Sequence, residues 1–492
     1  SWVLPEGLLT IGDNAFNWNW SLKTLTIPST VTSIGSGAFA LCYALSSLTI
    51  SSTGSIGAYA FRDCRTLLSV TIPEGVTSIG DNAFSGCYGF QSVSIPSTVT
   101  QIGESAFTYC TGLKRIAIPQ NLKAIASGTF SGCAVLDSVT IPEGVTSIGR
   151  NAFASCSALD SIVIPSSVNY VGEYALNGTP WFDNQPDGLV YAGLVAYKYK
   201  GTMPENTAIT LNEQTKGISG YAFDYCTGLT SMTIPAGVSN IGPFAFRGCT
   251  SLTGIVVDES SENFSTEEGV LFTKNIDTIL CYPIGRTVTS YILPSTVTVI
   301  NDNAFFNCAT LTGVSIPEGV TLIGEYAFSG CSGLASLTLP LSVDSIGLYG
   351  FYDCGGLRHI YCMNPMPINI EYPGMFGNID VFIGVPKYGC TLHVPVGSLV
   401  AYQTTGGWKD FGAIVDDVLA VPSITEASFV IITDGDYILI KNLEPGAIIN
   451  IYASDGTQLL MKYADEGEQR FALPSGALYF VKVGNQTVKV AL

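Results

Sequence analysis

The chain is poor in charge and almost without histidine. Of 492 residues, 12% are Asp, Glu, Lys or Arg and 2 are His. The 21 basic residues stand against 39 acidic ones, a formal net charge of −18. That balance argues against nucleic acid as a partner, because affinity there comes from Lys and Arg neutralising phosphates. Histidines 359 and 393 are too few and too isolated along the chain for a metal cluster, so no metal is expected. Hydrophobic residues make up 47% of the chain, yet no run approaches the roughly 18 to 20 residues of a membrane-spanning helix. No membrane span is expected. A Gly-x-Ser-x-Gly elbow, a phosphate-binding Gly-Lys loop, a zinc pair and a dinucleotide fingerprint are all missing. No catalysis and no cofactor are therefore expected, although carboxylates from neighbouring segments can still meet in space.

Cysteine is present in quantity, 14 residues, and it is periodic. Cys87, Cys110, Cys133 and Cys156 follow one another at intervals of 23. The same interval separates Cys226 from Cys249, and Cys308 from Cys331 and Cys354; Cys42 to Cys64 is one shorter. Residues 136–156 hold a full unit, LDSVTIPEGVTSIGRNAFASC. Self-similarity at such a period is the mark of a stacked repeat.

Each part of the unit has a physical reading. Val139 and Ile141 alternate with outward residues, as a half-buried strand should. Pro142 removes a ladder donor and ends that strand. Val145 to Gly149 reads as a second short extended piece, with Gly149 expected to supply a positive φ at the corner. Ala152 and Phe153 return to the interior. A unit this short cannot bury its own apolar face, but stacking coils at strand spacing merges the faces into one core. Like positions then fall on one line. The cysteines become a reduced, buried ladder whose thiols point at carbonyls left over by the turn. In the first unit Asn19 takes that place as a donor of similar size. Stacked, parallel Cβ vectors do not suit a disulfide. Cys281, Cys362 and Cys390 lie off the ladder, and Cys362 with Cys390 is the best-placed pair for a bond.

The pattern Leu-x-x-Val-x-Ile-Pro, Val-x-x-Ile-Gly, Ala-Phe-x-x-Cys resembles the BspA-type (Treponema-type) leucine-rich repeat across about residues 2–416. The resemblance implies a curved β-rich solenoid with two short strands per coil, found in secreted or surface-exposed bacterial proteins associated with adhesion. It brings no catalytic residues with it. The chain opens inside a repeat, so a longer precursor is expected. The solenoid is expected over 1–361, with insertions near 177–215 and 256–290 that read as hairpins. Asp258, Glu259, Glu262, Glu267 and Glu268 crowd the second insertion. They lack the spacing of an EF-hand and read as a solvated acidic loop rather than a calcium site. From 362 to 416 the period fails, and Leu392, Val394, Val400, Tyr402, Trp408 and Phe411 are expected to cap the open end of the core.

Residues 421–492 change grammar. FVIIT, YILIKNL, AIINIYASDG, QLLMKYAD, QRFALPSG, ALYFVKVG and TVKVAL read as strands of a small β-sandwich. Asp455-Gly456 and Pro474-Ser475-Gly476 read as turns. The segment resembles the C-terminal sorting domains of the type IX secretion pathway at Ile451-Tyr452, Gly456, Leu473-Pro474, Tyr479, Val481 and Lys489-Val490. A structural terminal domain with no sorting role is the alternative.

The outward strand positions are mostly small hydroxyls, from Thr24 and Thr26 to Ser336 and Thr338. Such residues keep a crowded strand face soluble, and they are poor in the Trp, Tyr and Arg of binding hot spots. A Thr-rich plane also invites an ice-binding reading, which curvature opposes. Richer chemistry lies toward the ends, at Lys114 and Arg115 and at Arg358, His359 and Tyr361. Trp18 and Trp20 either join it or pack under a preceding coil. Asp-Ser/Thr-apolar triplets place possible O-glycosylation at Ser138, Ser161, Thr278 and Ser345, as used by gut bacteria in which these repeats abound; chance in Ser/Thr-rich strands is the competing explanation. The expectation is a monomeric, exported adhesion or recognition scaffold binding a host extracellular-matrix or cell-surface protein, a glycan or another cell. A structural spacer without a ligand is the main rival, and a glycan-degrading accessory enzyme the weakest.

Overall fold

A computed structural model describes residues 2–374 and 377–418, and in the C-terminal segment 430–434, 437–441, 448–453, 458–463, 469–473, 478–483 and 486–491. In the coil beginning at Leu136, Ser138–Thr140 pairs in parallel with Ser161–Val163 of the next coil, Val139 opposite Ile162. Ser147–Ile148 pairs in parallel with Ala124–Ile125 on one side and Tyr170–Val171 on the other. A register offset of one repeat puts every apolar position over its counterpart. Val139, Ile141, Ile148 and Phe153 are all buried, and one apolar core runs from Leu4 to Tyr197.

The third side of each coil is laddered as well. Asn82 N, Phe84 N and Gly86 N donate to Glu104 O, Ala106 O and Thr108 O of the following coil, each at 2.8 Å. Aiming these amides outward takes two left-handed residues per coil. In the unit 136–156 they are Asn151 (φ 55°) and Ser155 (φ 58°). This corrects the expectation for Gly149, whose φ is not left-handed. A Cβ there would lie 2.5 Å from Ser127 N and 2.7 Å from Ala126 C. Glycine is demanded by the close approach of the coil below.

Within an unbroken stack the thiols bond back to an earlier coil. Cys110 Sγ donates to Phe84 O at 3.3 Å, Cys133 to Phe107 O at 3.3 Å and Cys156 to Phe130 O at 3.1 Å. Each of these Phe carbonyls also accepts a backbone bond from its own coil, such as Cys87 N to Phe84 O at 3.3 Å and Cys133 N to Phe130 O at 3.1 Å. All 14 cysteines are free, including Cys362 and Cys390, so the best-placed pair is not bonded. In the first unit the Asn19 side-chain oxygen accepts from Ser21 N and Ser21 Oγ.

Both insertions are built into the stack. Thr179 caps a short helix, Pro180–Asp183, and the hairpin Gly188–Ala192 with Val195–Lys200 follows. The outgoing strand then rejoins the ladder, Val195 opposite Gly217. The second insertion is a three-stranded antiparallel meander, Phe264–Glu267, Val270–Thr273 and Thr278–Cys281, whose last strand pairs in parallel with Val299–Ile300. At the closing end Leu392, Val394, Tyr402, Trp408 and Phe411 are buried. Val400 is not a lid: it is 70% exposed on the helix Leu399–Thr404. Phe382 stacks on Phe351 at 5.3 Å and Trp408 meets Phe382 edge-on at 5.5 Å, which ends the aromatic column.

The chain divides into two compact units, residues 1–393 with 400–415, and residues 394–399 with 416–492. In the second, seven antiparallel strands among the described residues form a three-stranded and a four-stranded sheet. Ile438, Ile440, Ile449, Ile451, Phe471 and Val481 from both sheets share one core, as in a sandwich. The turns expected at Asp455-Gly456 and Pro474-Ser475-Gly476 lie outside the described residues.

Candidate functional site

Alternation along the outward strands sets what the repeat face can offer. Ser47, Thr49, Ser69, Thr71, Ser92, Ser94, Ser138, Thr140, Ser336 and Thr338 are exposed between buried Leu, Val and Ile neighbours. The face is a field of small hydroxyls. Lys114 and Arg115 interrupt it, and both reach toward Asp137 of the next coil at 3.9 Å. Such exposed pairs contribute little to stability, so these cations remain available. They lie in a different sheet from Arg358, His359 and Tyr361, and the structure does not bring the two groups together.

At the far end the structure assembles more than the sequence promised. His359–Cys362 pairs in parallel with Thr391–Pro395, Tyr361 opposite His393. His359 Nδ1 then lies 3.0 Å from His393 Nε2. Tyr361 stacks on His393 with ring centroids 4.3 Å apart at 17°. The expectation that the two histidines are isolated is thus overturned: separation in sequence is cancelled by strand pairing. Arg358 turns aside, donating to Gly355 O and Leu357 O at 2.9 Å.

A second concentration of large side chains lies on the turn edge of the first coils. Trp18 and Trp20 are 56% and 63% exposed, with ring centroids 6.0 Å apart, and Trp18 meets Tyr43 at 6.5 Å. The Arg65 guanidinium lies 4.6 Å from the Tyr43 ring and 5.5 Å from the Tyr88 ring, and pairs with Asp63 at 3.3 Å. Tyr43, Arg65 and Tyr88 each follow a ladder cysteine, a column that reading the strand positions alone passes over. Its later members are Thr111, Ala134 and Ser157, so the aromatic patch is confined to the opening coils. A further edge cluster gathers Arg247, bonded to Asp224 at 2.6 and 2.8 Å, against Tyr221, Tyr225 and Phe244.

The thiols are chemically quiet. Burial pushes Cys156 and Cys354 up to about 12 and holds Cys87, Cys110 and Cys133 well above the ordinary thiol range. Nucleophilic and metal-binding thiolates need the opposite shift. The acidic insertion does not converge either. Asp258 accepts from Ser260 N and Oγ, which lowers its pKa, and Glu268 pairs with Arg286. Among the described residues no three His, Cys, Asp or Glu side chains gather as a metal site. A cavity of ≈ 60 Å³ between Phe244, Leu280, Tyr282 and Asn303 has room for about two waters. The Asn303 carboxamide is buried without a partner. A hollow of ≈ 700 Å³ beside Ile383, Tyr388 and Phe411 is open to solvent, and its Lys387 is held by Asp380 at 2.8 Å and Asp410 at 3.8 Å. Of the possible glycosylation positions, Ser138, Ser161 and Ser345 are exposed and Thr278 is half-buried. Ser138 Oγ donates to Asp137 at 2.9 Å.

Parallel ladders on two sides of the coils, apolar cores shared between stacked coils and almost no helix among the described residues define a leucine-rich-repeat β-solenoid, a class that presents repeated surfaces for binding. The family model described as the BspA type leucine rich repeat region matches residues 1–110, 54–182, 196–280 and 274–378, and the chain belongs to that family. Among solved structures, the chain is similar to a leucine-rich repeat protein of Bacteroides ovatus, at 25% identity and a TM-score of 0.37 over 83% of this chain and 87% of that one. It is similar to a leucine rich cell surface protein of Faecalibacterium prausnitzii at 23% identity and a TM-score of 0.30, over 85% and 90%. It is also similar to the pneumococcal vaccine antigen PcpA at 18% identity and a TM-score of 0.30, over 84% and 95%. No curated protein is significantly similar to it. Among the described residues no helix is long and apolar enough to cross a membrane.

Proposed function

We propose that the protein is an exported bacterial recognition scaffold that engages a host matrix protein, a cell-surface glycan or another cell without catalysis. One observation carries the reading: Trp18, Trp20, Tyr43, Arg65 and Tyr88 form a single patch on the turn edge of a chain whose strand face is mostly small hydroxyls. Trp, Tyr and Arg dominate binding hot spots, and five such side chains meet on the turn edge of the opening coils; packing of Trp18 and Trp20 under a preceding coil is the competing reading. The patch supersedes Lys114 and Arg115 as the first place to look, with Arg358, His359 and Tyr361 as the second. Membership of the repeat family and the cell-surface description of one similar protein support export. The sandwich serves as the sorting or terminal domain of the same chain, and the exposed Asp-Ser triplets serve as glycan acceptors.

Arrays of matrix proteins and glycans probed with the purified chain test this. Saturable binding, lost in Trp18→Ala/Arg65→Ala and kept in Ser92→Ala, supports recognition. The uniform hydroxyl face favours the rival reading, a surface spacer, and silence across both arrays establishes it. The intact mass of natively expressed protein separates modified from unmodified Ser138, Ser161, Thr278 and Ser345.

A further inference from the structure

We propose that His359 and His393 form a two-imidazole clip for a divalent transition-metal ion of the zinc, nickel and copper(II) class. The chain holds 2 histidines, and pairing of His359–Cys362 with Thr391–Pro395 sets them on adjacent rungs, His359 opposite Thr391 and His393 opposite Tyr361. Their facing nitrogens, Nδ1 of His359 and Nε2 of His393, are 3.0 Å apart. Two nitrogens bound to one ion at their usual length lie about 2.9 Å apart at a right angle and about 3.4 Å apart at the tetrahedral angle. The observed spacing falls inside that range before any ion arrives.

The neighbouring side chains suit a pair of imidazole ligands. Tyr361 stacks on His393 and fixes its plane. On the preceding rung Ser336 and Thr338 pair with His359 and Tyr361, small exposed hydroxyls that leave that side of His359 uncrowded. Arg358 is tied to turn carbonyls, and the net charge of −18 favours cation approach. Without an ion, one imidazole donates to the other. With an ion, both facing nitrogens present lone pairs and each ring keeps its proton on the other nitrogen. Only one ring changes tautomer, and no proton leaves the pair. Neutral imidazole selects zinc, nickel and copper(II), whereas calcium and magnesium prefer oxygen donors.

Titration calorimetry of the tag-free, chelator-treated full chain with zinc, nickel and copper(II) chlorides tests the clip, with calcium and magnesium chlorides as oxygen-preferring controls. The expected result is one saturable ion per chain, bound at least about tenfold more weakly by both His359→Asn and His393→Asn and little changed in Tyr361→Phe. Copper(II) spin resonance of the unmodified chain should show coupling to two imidazole nitrogens, a readout that does not depend on how the variants fold. Absence of saturable binding, wild-type affinity in either histidine variant, equal binding of calcium, or coupling to fewer than two nitrogens overturns the proposal.

Discussion

The coils before Leu176 and those after it are built to one plan but are not equally continuous. From Phe16 to Phe153 seven phenylalanine rings stack in a row at 5.0 to 5.7 Å. Beyond Leu176 the column restarts twice, first as the pair Phe223 and Phe246, then as Tyr282, Phe305, Phe328, Phe351 and Phe382. The thiols follow the same breaks. Cys249 bonds to Phe223 O, and Cys331 and Cys354 bond to Phe305 O and Phe328 O, all at 3.1 Å. Cys226 and Cys308, the first ladder thiols after each insertion, make no such bond among the described residues. A ladder residue is therefore supported by the coil before it. Each insertion removes the matching carbonyl, and the first also removes the ring, whereas Tyr282 supplies a ring to Phe305 after the second. Repeat stability is a sum over neighbouring interfaces, so the two regions should respond differently to the same substitution.

The largest contrast is expected in the ring column. Phe107→Ala removes a ring held on both sides and should cost about 4 kcal/mol, while Phe246→Ala, with one stacked neighbour, should cost about 2 kcal/mol less. Urea unfolding followed by circular dichroism measures both, and equal costs would erase the distinction. Glycine gives the next. In Gly103→Ala the new Cβ would meet Asp81 N at 2.5 Å and Gly80 C at 2.6 Å, and crowding of backbone on backbone should cost about 3 kcal/mol. Gly313 has nothing within 4 Å of an added Cβ, so Gly313→Ala should be neutral or stabilise by about 0.5 kcal/mol. Thermal midpoints of the two variants decide. A smaller difference separates the thiols: Cys110→Ala loses its carbonyl partner and should cost about 1 kcal/mol more than Cys226→Ala.

A pH effect follows from the same burial. A thiol whose folded pKa is raised binds its proton more tightly in the folded state. Its contribution is complete below the ordinary thiol value of about 8.5 and is lost as pH climbs above it. For Cys156 the loss runs up to about 12. Thermal midpoints should fall between pH 8 and pH 10, less steeply in Cys156→Ala, and this change of slope is the smallest effect expected.

How far the sequence could be read depended on whether a residue acts inside its own repeat or across chain distance. Val139, Ile141, Ile148 and Phe153 were legible as core because periodicity alone places them. The cysteine column was legible because one offset repeats. Gly149 was misjudged because its constraint comes from Ala126 and Ser127 of the coil below, which no local turn rule contains. Val400 was misjudged because its helix is too short for a period to show which side is buried. The pairing of His359 with His393 was invisible because the strand Thr391–Pro395 lies outside the repeat pattern. Tyr43, Arg65 and Tyr88 could have been found by following the position after each cysteine down the stack.

Counting thiols by alkylation and peptide mapping tests the register of the coils most directly. The account predicts that the unreduced chain in denaturant yields all 14 cysteines as free thiols, and that under native conditions the eleven ladder cysteines, from Cys42 to Cys354, stay unlabelled. Fewer than 14 free thiols in denaturant, or a ladder cysteine that labels natively as fast as a free peptide thiol, would contradict it.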